Sequence, residues 1–126
     1  MKVLLVDDSQ AMRVIQMKIL EQLGDVEFTQ AADGVEAMAV LAGSPGAFDL
    51  IVIDWNMPNM NGITLVHKIR ETDKKTPLVM AATEADKERV LEAIRAGVNN
   101  YIVKPFTPAL LLEKVQATLG RAKAAA

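Results

Sequence analysis

Residues 50–54 read Leu-Ile-Val-Ile-Asp, an uninterrupted apolar run followed directly by a carboxylate. A run this short and this continuous is typical of a strand that is buried on both faces of a parallel sheet. Similar runs occur at residues 3–6, 78–82 and 101–103. Residues 26–31 instead alternate between apolar and polar side chains, which indicates a strand with one less buried face at a sheet edge. The sequence therefore predicts a sheet of five strands.

Apolar residues at helical spacing fill the intervals between these strands. In the first interval they recur three or four positions apart, and Gly24 then offers a left-handed stop. Asp33 is suited to cap the second helix, while Thr107 and Pro108 are suited to start the fifth, which is predicted to run to about Leu119. The apolar positions that define the first four helices are Met12, Ile15, Ile19, Leu23, Val35, Met38, Ala42, Ile63, Val66, Ile69, Val90 and Ile94. Alternating strands and helices predict a doubly wound α/β fold with helices on both faces of a parallel sheet.

The composition limits the class of protein. The chain has 126 residues, 51% hydrophobic and 24% charged, which fits one globular domain. Its formal net charge is −2 and no Lys/Arg cluster forms a basic stripe, so we expect no nucleic-acid binding. No apolar stretch is long enough to span a bilayer or to act as a signal-peptide core. Cysteine is absent, which excludes disulfides and thiolate catalysis and fits a reducing compartment. We expect a cytoplasmic protein without membrane contacts.

Charged side chains follow the predicted strands at their carboxyl ends. Strand one is followed by Asp7 and Asp8, strand three by Asp54, and strand five by Lys104. Singly, an Asp in such a place is more often a helix cap, and a Lys before Pro is more often a solvated charge. In an open α/β sheet, however, ligands bind beyond this edge. The joint placement therefore indicates a site in which three carboxylates and one ammonium converge.

These side chains are suited to a divalent cation and a phosphoryl group. Neighbouring carboxylates repel one another, and a bound cation relieves the repulsion. Oxygen ligands without His or Cys favour Mg²⁺ or Mn²⁺ over zinc. An Asp carboxylate can attack a phosphoryl group, and Lys104 could supply positive charge to its oxygens. The Lys104–Pro105 bond is a candidate for the cis form, which would aim the ammonium into the crevice.

Three motifs resemble the receiver domains of two-component systems, and most of all the CheY-like chemotaxis regulators. They are Val-Asp-Asp-Ser at residues 6–9, Asp-Trp-Asn-Met-Pro-Asn-Met-Asn-Gly at residues 54–62 and Tyr-Ile-Val-Lys-Pro-Phe at residues 101–106. The resemblance extends from Lys2 to about Leu119. It implies a flavodoxin-like (βα)5 fold with strand order 2-1-3-4-5. It also implies a response regulatory (receiver) domain over residues 1–120 and a C-terminal tail over residues 121–126.

The resemblance implies a role for each residue of the site. Asp54 would accept the phosphoryl group from a phosphohistidine, and Lys104 would pair with the phosphate. Mg²⁺ would be bound by Asp8, Asp54 and the main-chain carbonyl of Asn56, with Asp7 orienting the ion through water.

Further residues match family positions that govern phosphate lifetime and switching. Asn56 and Glu84 border the path of the attacking water, and Tyr101 matches an aromatic whose rotamer reports the switch. The family usually carries Thr or Ser at the end of strand four, where this chain has Ala82. Because successive strand residues face opposite sides, Thr83 is not expected to replace the missing hydroxyl. We expect phosphorylation to survive and the conformational response to be small or differently wired.

The resemblance implies a signalling switch that is not an enzyme, apart from self-catalysed phosphotransfer and autodephosphorylation. Its partners would be a histidine kinase or histidine phosphotransfer protein and an output partner on the face of helix four, strand five and helix five, in chemotaxis or a related pathway. A phosphorelay intermediate is an open alternative, which Ala82 favours because onward transfer needs no large conformational change. An Asp-nucleophile phosphatase would need an Asp two residues after Asp54, where this chain has Asn56. A receiver that only binds partners is disfavoured by the intact acidic residues and Lys104.

Overall fold

Strands and helices alternate along the computed structural model, which describes residues 1–125. The strands are β1 (Lys2–Val6), β2 (Glu27–Ala31), β3 (Leu50–Asp54), β4 (Leu78–Ala82) and β5 (Asn100–Val103). The helices are α1 (Gln10–Leu20), α2 (Gly34–Gly43), α3 (Gly62–Thr72), α4 (Lys87–Ala96) and α5 (Pro108–Ala125). A short 3₁₀ turn, Glu21–Leu23, follows α1, and Gly24 then reverses the chain with a φ of 112° that favours glycine.

The strands form one parallel sheet in the order β2-β1-β3-β4-β5. This confirms the predicted doubly wound fold, the strand order and the position of β2 at an edge. In the register of the two central strands, Val6 lies opposite Ile53. The residues that follow them, Asp7 and Asp54, are therefore brought to the same edge of the sheet.

Alternating side chains of the sheet pack into two apolar layers. One layer contains Leu4, Ile53 and Met80 of the sheet with Ala37 of α2, Leu65 of α3 and Ala93 of α4. The other layer contains Leu5, Val52 and Ile102 of the sheet with Leu20 of α1 and Leu111 of α5. Because helices cover both faces, the central strands must be apolar at every position, as the uninterrupted runs indicate.

Side-chain caps determine where the first four helices begin. Each cap accepts a hydrogen bond from the main-chain N–H three residues further on, and the capping residues are Ser9, Asp33, Asn61 and Asp86. At the start of α5, the Oγ1 of Thr107 accepts a hydrogen bond from the N–H of Leu110 at 3.1 Å. The predicted caps at Asp33 and Thr107 are confirmed.

Three of the apolar residues that define the helical spacing are exposed. Ile15, Val35 and Ile94 are 47%, 53% and 52% exposed. Spacing identifies an apolar stripe on a helix but not how much of its width the sheet covers, so residues at the margin of the stripe stay in solvent. In addition, α5 continues past Leu119 to Ala125, while Ala126 of the predicted tail lies outside the described residues. Among the described helices, none has the length and apolar character needed to cross a membrane.

Candidate functional site

Three carboxylates meet where β1 and β3 end. Asp7 and Asp8 directly follow β1, and Asp54 is the last residue of β3. One carboxylate oxygen from each lies within 4.8 Å of the others. Asp7 and Asp54 are buried, whereas Asp8 is exposed, so the cluster is accessible from solvent on one side. The structure thus brings together the acidic residues that the sequence places at the strand ends.

Lys104 reaches this cluster from the end of β5. Its Nζ donates to Asp7 Oδ2 at 2.9 Å and to Asp54 Oδ1 at 2.9 Å. The Lys104–Pro105 peptide bond is cis. Burial alone would lower the pKa of Lys104, but the hydrogen bonds and charges of Asp7 and Asp54 outweigh burial and raise it. Lys104 therefore remains a cation next to the acidic cluster at neutral pH.

The environment of Asp54 disfavours its charged form. Burial is the largest influence and raises the pKa of this carboxyl, even though the hydrogen bond and charge of Lys104 act in the opposite direction. The charges of Asp7 and Asp8 add to the effect of burial. Asp54 is thus an acid whose ionised form depends on nearby positive charge.

Hydrogen bonds hold Asp7 in place. Its Oδ1 accepts from the N–H of Ser9 at 2.9 Å, and its own N–H donates to the carbonyl of Ala31 at 3.1 Å. The guanidinium of Arg13 donates to the main-chain carbonyl of Asp7. Asp7 is therefore oriented by contacts with β2 and with the start of α1.

The donor set fits a small divalent cation. The cluster offers carboxylate oxygens only, which are the ligands that Mg²⁺ and Mn²⁺ prefer. Three acids with one ammonium leave an excess of negative charge that a divalent ion can neutralise. Asn56, whose carbonyl belongs to the loop just after Asp54, completes the set of candidate ligands.

A polar bridge links the loops that follow β3 and β4. The Nδ2 of Asn56 lies 3.4 Å from each carboxylate oxygen of Glu84, and the Oγ1 of Thr83 donates to Glu84 Oε2 at 3.1 Å. Hydrogen bonds from its own main-chain N–H, then from Thr83 and Asn56, lower the pKa of Glu84. The hydroxyl of Thr83 is therefore engaged with Glu84, while the fully buried Ala82 presents only a methyl group.

Tyr101 lies inward and contacts the same loop. It is 7% exposed, and its hydroxyl donates to the main-chain carbonyl of Glu84 at 2.7 Å. The ring of Trp55, next to Asp54, meets the Tyr101 ring edge-on with centroids 6.5 Å apart. The guanidinium of Arg89 in α4 lies 5.1 Å from the centroid of Trp55. The sequence gives no signal for Arg89, because an Arg in the first turns of a helix is usually a surface charge.

A second contact that sequence reasoning missed joins Asn59 to Asp33. The Nδ2 of Asn59 donates to Asp33 Oδ2 at 2.7 Å, while Asp33 Oδ1 caps α2 by accepting from the N–H of Glu36 at 2.8 Å. Asn59 has a φ of 66°. Among the described residues, it is the only one other than glycine that has a positive φ. The Pro58-Asn59 pair is a turn signal that could have indicated the loop conformation, but not the partner of Asn59.

Comparisons with known proteins identify the family of this chain. The sequence model of the family described as response regulator receiver domain matches residues 3–116. Chemotaxis protein CheY1 of Helicobacter pylori is 47% identical over 122 residues, which cover 95% of this chain and 98% of that protein. The structure of Vibrio cholerae chemotaxis protein CheY4 matches with a TM-score of 0.84 at 39% identity, covering 93% of this chain and 97% of that one. A chain of the CheX–CheY–BeF3–Mg²⁺ complex from Borrelia burgdorferi matches with a TM-score of 0.86 at 31% identity, covering 92% and 87%.

These matches confirm the resemblance that the three sequence motifs indicate. The relatives named above are chemotaxis proteins of the CheY type, and the match to them extends over almost the whole chain. Their shared fold is the five-stranded parallel sheet with five helices described above. The chain belongs to the response regulator receiver domain family, the CheY-like signalling proteins of two-component systems.

Proposed function

We propose that this protein is a phosphoacceptor switch of a two-component pathway, in which Asp54 takes a phosphoryl group from a histidine kinase. The observation that carries the proposal is the ammonium of Lys104, which lies 2.9 Å from Asp54 inside the carboxylate cluster. A nucleophile, a cation for phosphate oxygens and a set of oxygen ligands are therefore adjacent, which is the arrangement that phosphoryl transfer requires.

In the proposed reaction, a carboxylate oxygen of Asp54 forms a bond to phosphorus. The phosphorus–nitrogen bond of the donor phosphohistidine breaks, and the imidazole keeps the electron pair and takes up a proton. Lys104 pairs with the phosphoryl oxygens as negative charge moves away from the Asp54 carboxylate. Its second hydrogen bond, to Asp7 at 2.9 Å, keeps the ammonium in the site throughout. In this reaction, the protein itself is the acceptor of the phosphoryl group.

The same residues are proposed to hold Mg²⁺, with Mn²⁺ as a substitute. Asp8, Asp54 and the carbonyl of Asn56 would bind the ion, and Asp7 would orient it through water. When bound, the ion supplies positive charge that stabilises the phosphoryl oxygens. The Asn56–Glu84 bridge links the loops that follow β3 and β4, and we propose that it tunes how quickly water removes the phosphoryl group.

Incubation with acetyl phosphate and Mg²⁺, followed by intact-mass measurement, tests the proposal. The expected result is a gain of one phosphoryl group that disappears when EDTA replaces Mg²⁺. A wild-type protein that gains no mass would overturn the proposal and favour a receiver that only binds partners. Turnover of a chromogenic phosphate ester would instead favour the phosphatase alternative.

Millimolar Mg²⁺ should raise the melting temperature at neutral pH, because the ion binds the folded cluster and not the unfolded chain. At a concentration one hundred times the dissociation constant, the gain in stability is about 2.7 kcal/mol. Asp8→Asn removes one cluster carboxylate and should lose most of this shift, whereas Asp25→Asn removes an exposed acid elsewhere and should keep it. An unchanged melting temperature of the wild-type protein would count against the metal site.

Ala82 should make the conformational response to phosphorylation small. No hydroxyl at this position can bond a phosphoryl oxygen, because the fully buried Ala82 presents only a methyl group. A hydrogen bond to a charged group is worth about 1.5–3 kcal/mol, which is enough to set a two-state equilibrium. Beryllofluoride with Mg²⁺ should therefore produce limited amide NMR shifts in α4 and β5, and Ala82→Thr should enlarge them. A full-amplitude response of the wild-type protein would contradict this expectation.

The absence of this hydroxyl also favours a second candidate, a phosphorelay intermediate. Such a protein passes its phosphoryl group to a histidine phosphotransfer protein, a reaction that depends on the chemistry at Asp54 and not on a changed partner surface. Loss of the phosphoryl group from the protein, with its appearance on a histidine of the transfer protein, would distinguish this function from an output switch.

For the output function, we propose a partner that docks on the face formed by α4, β5 and α5. Ile94 and Val103 are apolar, lie on these elements and are 52% and 36% exposed. The chemotaxis relatives and the Borrelia burgdorferi complex of CheY with CheX support a protein partner in chemotaxis or a related pathway. The proposed setting is the cytoplasm, with residues 1–120 as the receiver domain and residues 121–126 as its tail.

A further inference from the structure

The loop between β3 and α3, residues 55–61, is held at both ends by the main chain. At its start, the N–H of Trp55 donates to the carbonyl of Ala81 at 3.2 Å. At its end, the N–H of Gly62 donates back to the carbonyl of Trp55 at 2.7 Å. Between these points lies Asn56, whose carbonyl is a proposed ligand of the metal. The position of that carbonyl therefore depends on what supports the middle of the loop.

The middle of the loop is a tight turn centred on Asn59. The N–H of Met60 donates to the carbonyl of Pro58 at 2.6 Å, and Asn59 between them has a φ of 66°. This conformation is costly for a residue with a side chain, although Asn tolerates it better than most. Such a turn persists only where surrounding contacts support it.

The side chain of Asn59 provides that support by binding Asp33, which lies just beyond β2. The Nδ2 of Asn59 is 2.7 Å from Asp33 Oδ2, and the other oxygen of Asp33 is engaged in capping α2. Asp33 is buried, with 9% of its surface exposed, whereas Asn59 is exposed, so the hydrogen bond itself is part-buried. The side chain of Met60 also packs against Gly34 so closely that a Cβ on Gly34 would lie 2.8 Å from its atoms.

We propose that the Asp33–Asn59 hydrogen bond is a clamp that positions the β3–α3 loop for metal binding, and so for phosphorylation of Asp54. Both are positioning residues, because they act through the loop and contact neither the metal nor the phosphoryl group. The inference rests on the proposed function, since it assigns the clamp to the same metal site. It makes the end of β2, at the edge of the sheet, part of the support for a site built on β1, β3 and β5.

Two substitutions separate the clamp from other roles of these residues. Asn59→Gly removes the amide but accepts the positive φ, and Asp33→Ser keeps a good helix cap but removes the oxygen that faces Asn59. Asn61→Ser is the matched control, because it changes an Asn of the same loop and preserves the cap on α3. Asp33→Asn should keep the hydrogen bond of the clamp, because the amide of Asn59 can turn its oxygen towards the new NH₂ donor at position 33.

Titration of the 126-residue protein with Mg²⁺, followed by the fluorescence of Trp55, its single tryptophan, measures the effect directly. Asn59→Gly and Asp33→Ser should weaken Mg²⁺ binding by about tenfold, which is the size of loss typical when a group that orients a metal ligand is removed. Their double variant should be no weaker than the worse single variant, and Asp33→Asn and Asn61→Ser should bind like wild type. Phosphorylation by acetyl phosphate should reach its wild-type maximal rate at saturating Mg²⁺, with only the required Mg²⁺ concentration raised.

Wild-type Mg²⁺ affinity in both Asn59→Gly and Asp33→Ser would overturn the clamp while leaving the proposed function intact. A wild-type protein that fails to bind Mg²⁺ would overturn both. Circular dichroism without Mg²⁺ identifies any variant that fails to fold, and the other variant then decides. Asp33→Ser is the more sensitive of the two, because it leaves Asn59 in its strained turn without a partner, whereas glycine adopts the turn without strain. A lower maximal rate at saturating Mg²⁺, with unchanged affinity, would also contradict a positioning role through the metal.

Discussion

Asp54→Asn should abolish the gain of one phosphoryl group from acetyl phosphate. The amide has the shape of the carboxylate but lacks the charged oxygen that the proposed attack on phosphorus requires. Lys104 keeps its 2.9 Å contact with Asp7, so the substitution leaves the ammonium in the site. Intact-mass measurement of wild type and variant in parallel checks the result. An equal mass gain in Asp54→Asn would place the phosphoryl group on another residue.

The same variant should be more stable than wild type at neutral pH when divalent ions are removed with EDTA. Burial raises the pKa of Asp54 above its ordinary value of 3.8, so ionising this carboxyl costs stability in the folded state. Below pH 3.8, Asp54 is protonated in both the folded and the unfolded state, and the cost is absent. The loss of folding stability develops as the pH rises through the raised pKa of the folded state, and it is complete above that pKa. Urea unfolding at acidic and neutral pH should therefore show an advantage of Asp54→Asn at neutral pH that vanishes in acid.

Gly62→Ala should destabilise the protein and weaken Mg²⁺ binding together. A Cβ at position 62 would overlap the main-chain carbonyl of Asp54 and lie 3.0 Å from the Cα of Trp55. Both obstacles are backbone atoms, which cannot move without displacing the end of β3. Overpacking of this kind costs about 1–3 kcal/mol or more. Because the displaced atoms belong to Asp54 and its neighbour, the loss of stability and the loss of metal affinity have one cause.

Gly120→Ala is the matched control for this substitution. Gly120 lies in α5, and a Cβ there would meet nothing within 4 Å. Alanine in the interior of a helix is favoured over glycine by up to about 1 kcal/mol, so the control should be neutral or stabilising. Urea unfolding and Mg²⁺ titration of both variants make the comparison. A Gly62→Ala protein as stable as Gly120→Ala would show that the end of β3 can relax.

The sheet and the ends of its strands were predictable because each depends on a short stretch of sequence. The run from Leu50 to Ile53 is apolar at every position because helices cover both faces of β3, and the carboxylate of Asp54 follows at once. Parallel strands bring such ends to one edge, so the convergence of Asp7 and Asp54 follows from topology. Asp33 was similarly readable as a cap because its partner is three residues away.

The contacts that connect the site to its surroundings were not predictable in this way. Asp33 meets Asn59 across 26 residues, and Tyr101 meets Glu84 across 17, so no local pattern records either pair. In the sequence, Arg89 is indistinguishable from an ordinary surface charge, and nothing local shows that it lies over the ring of Trp55. The exposure of Ile94 was not predictable either, because helical spacing does not show how much of a helix the sheet covers.

The order of the strands also indicates which strands unfold locally most easily. β1 and β3, which carry the acids, have a hydrogen-bonded neighbour on each side, whereas β5 has only β4. Local unfolding is least costly where backbone hydrogen bonds and packing are fewest, and most costly in central strands. The carboxylate of Asp54, the proposed phosphoacceptor, therefore lies on the part of the sheet that is hardest to open. Tyr101 lies on the edge strand β5, where local rearrangement costs less.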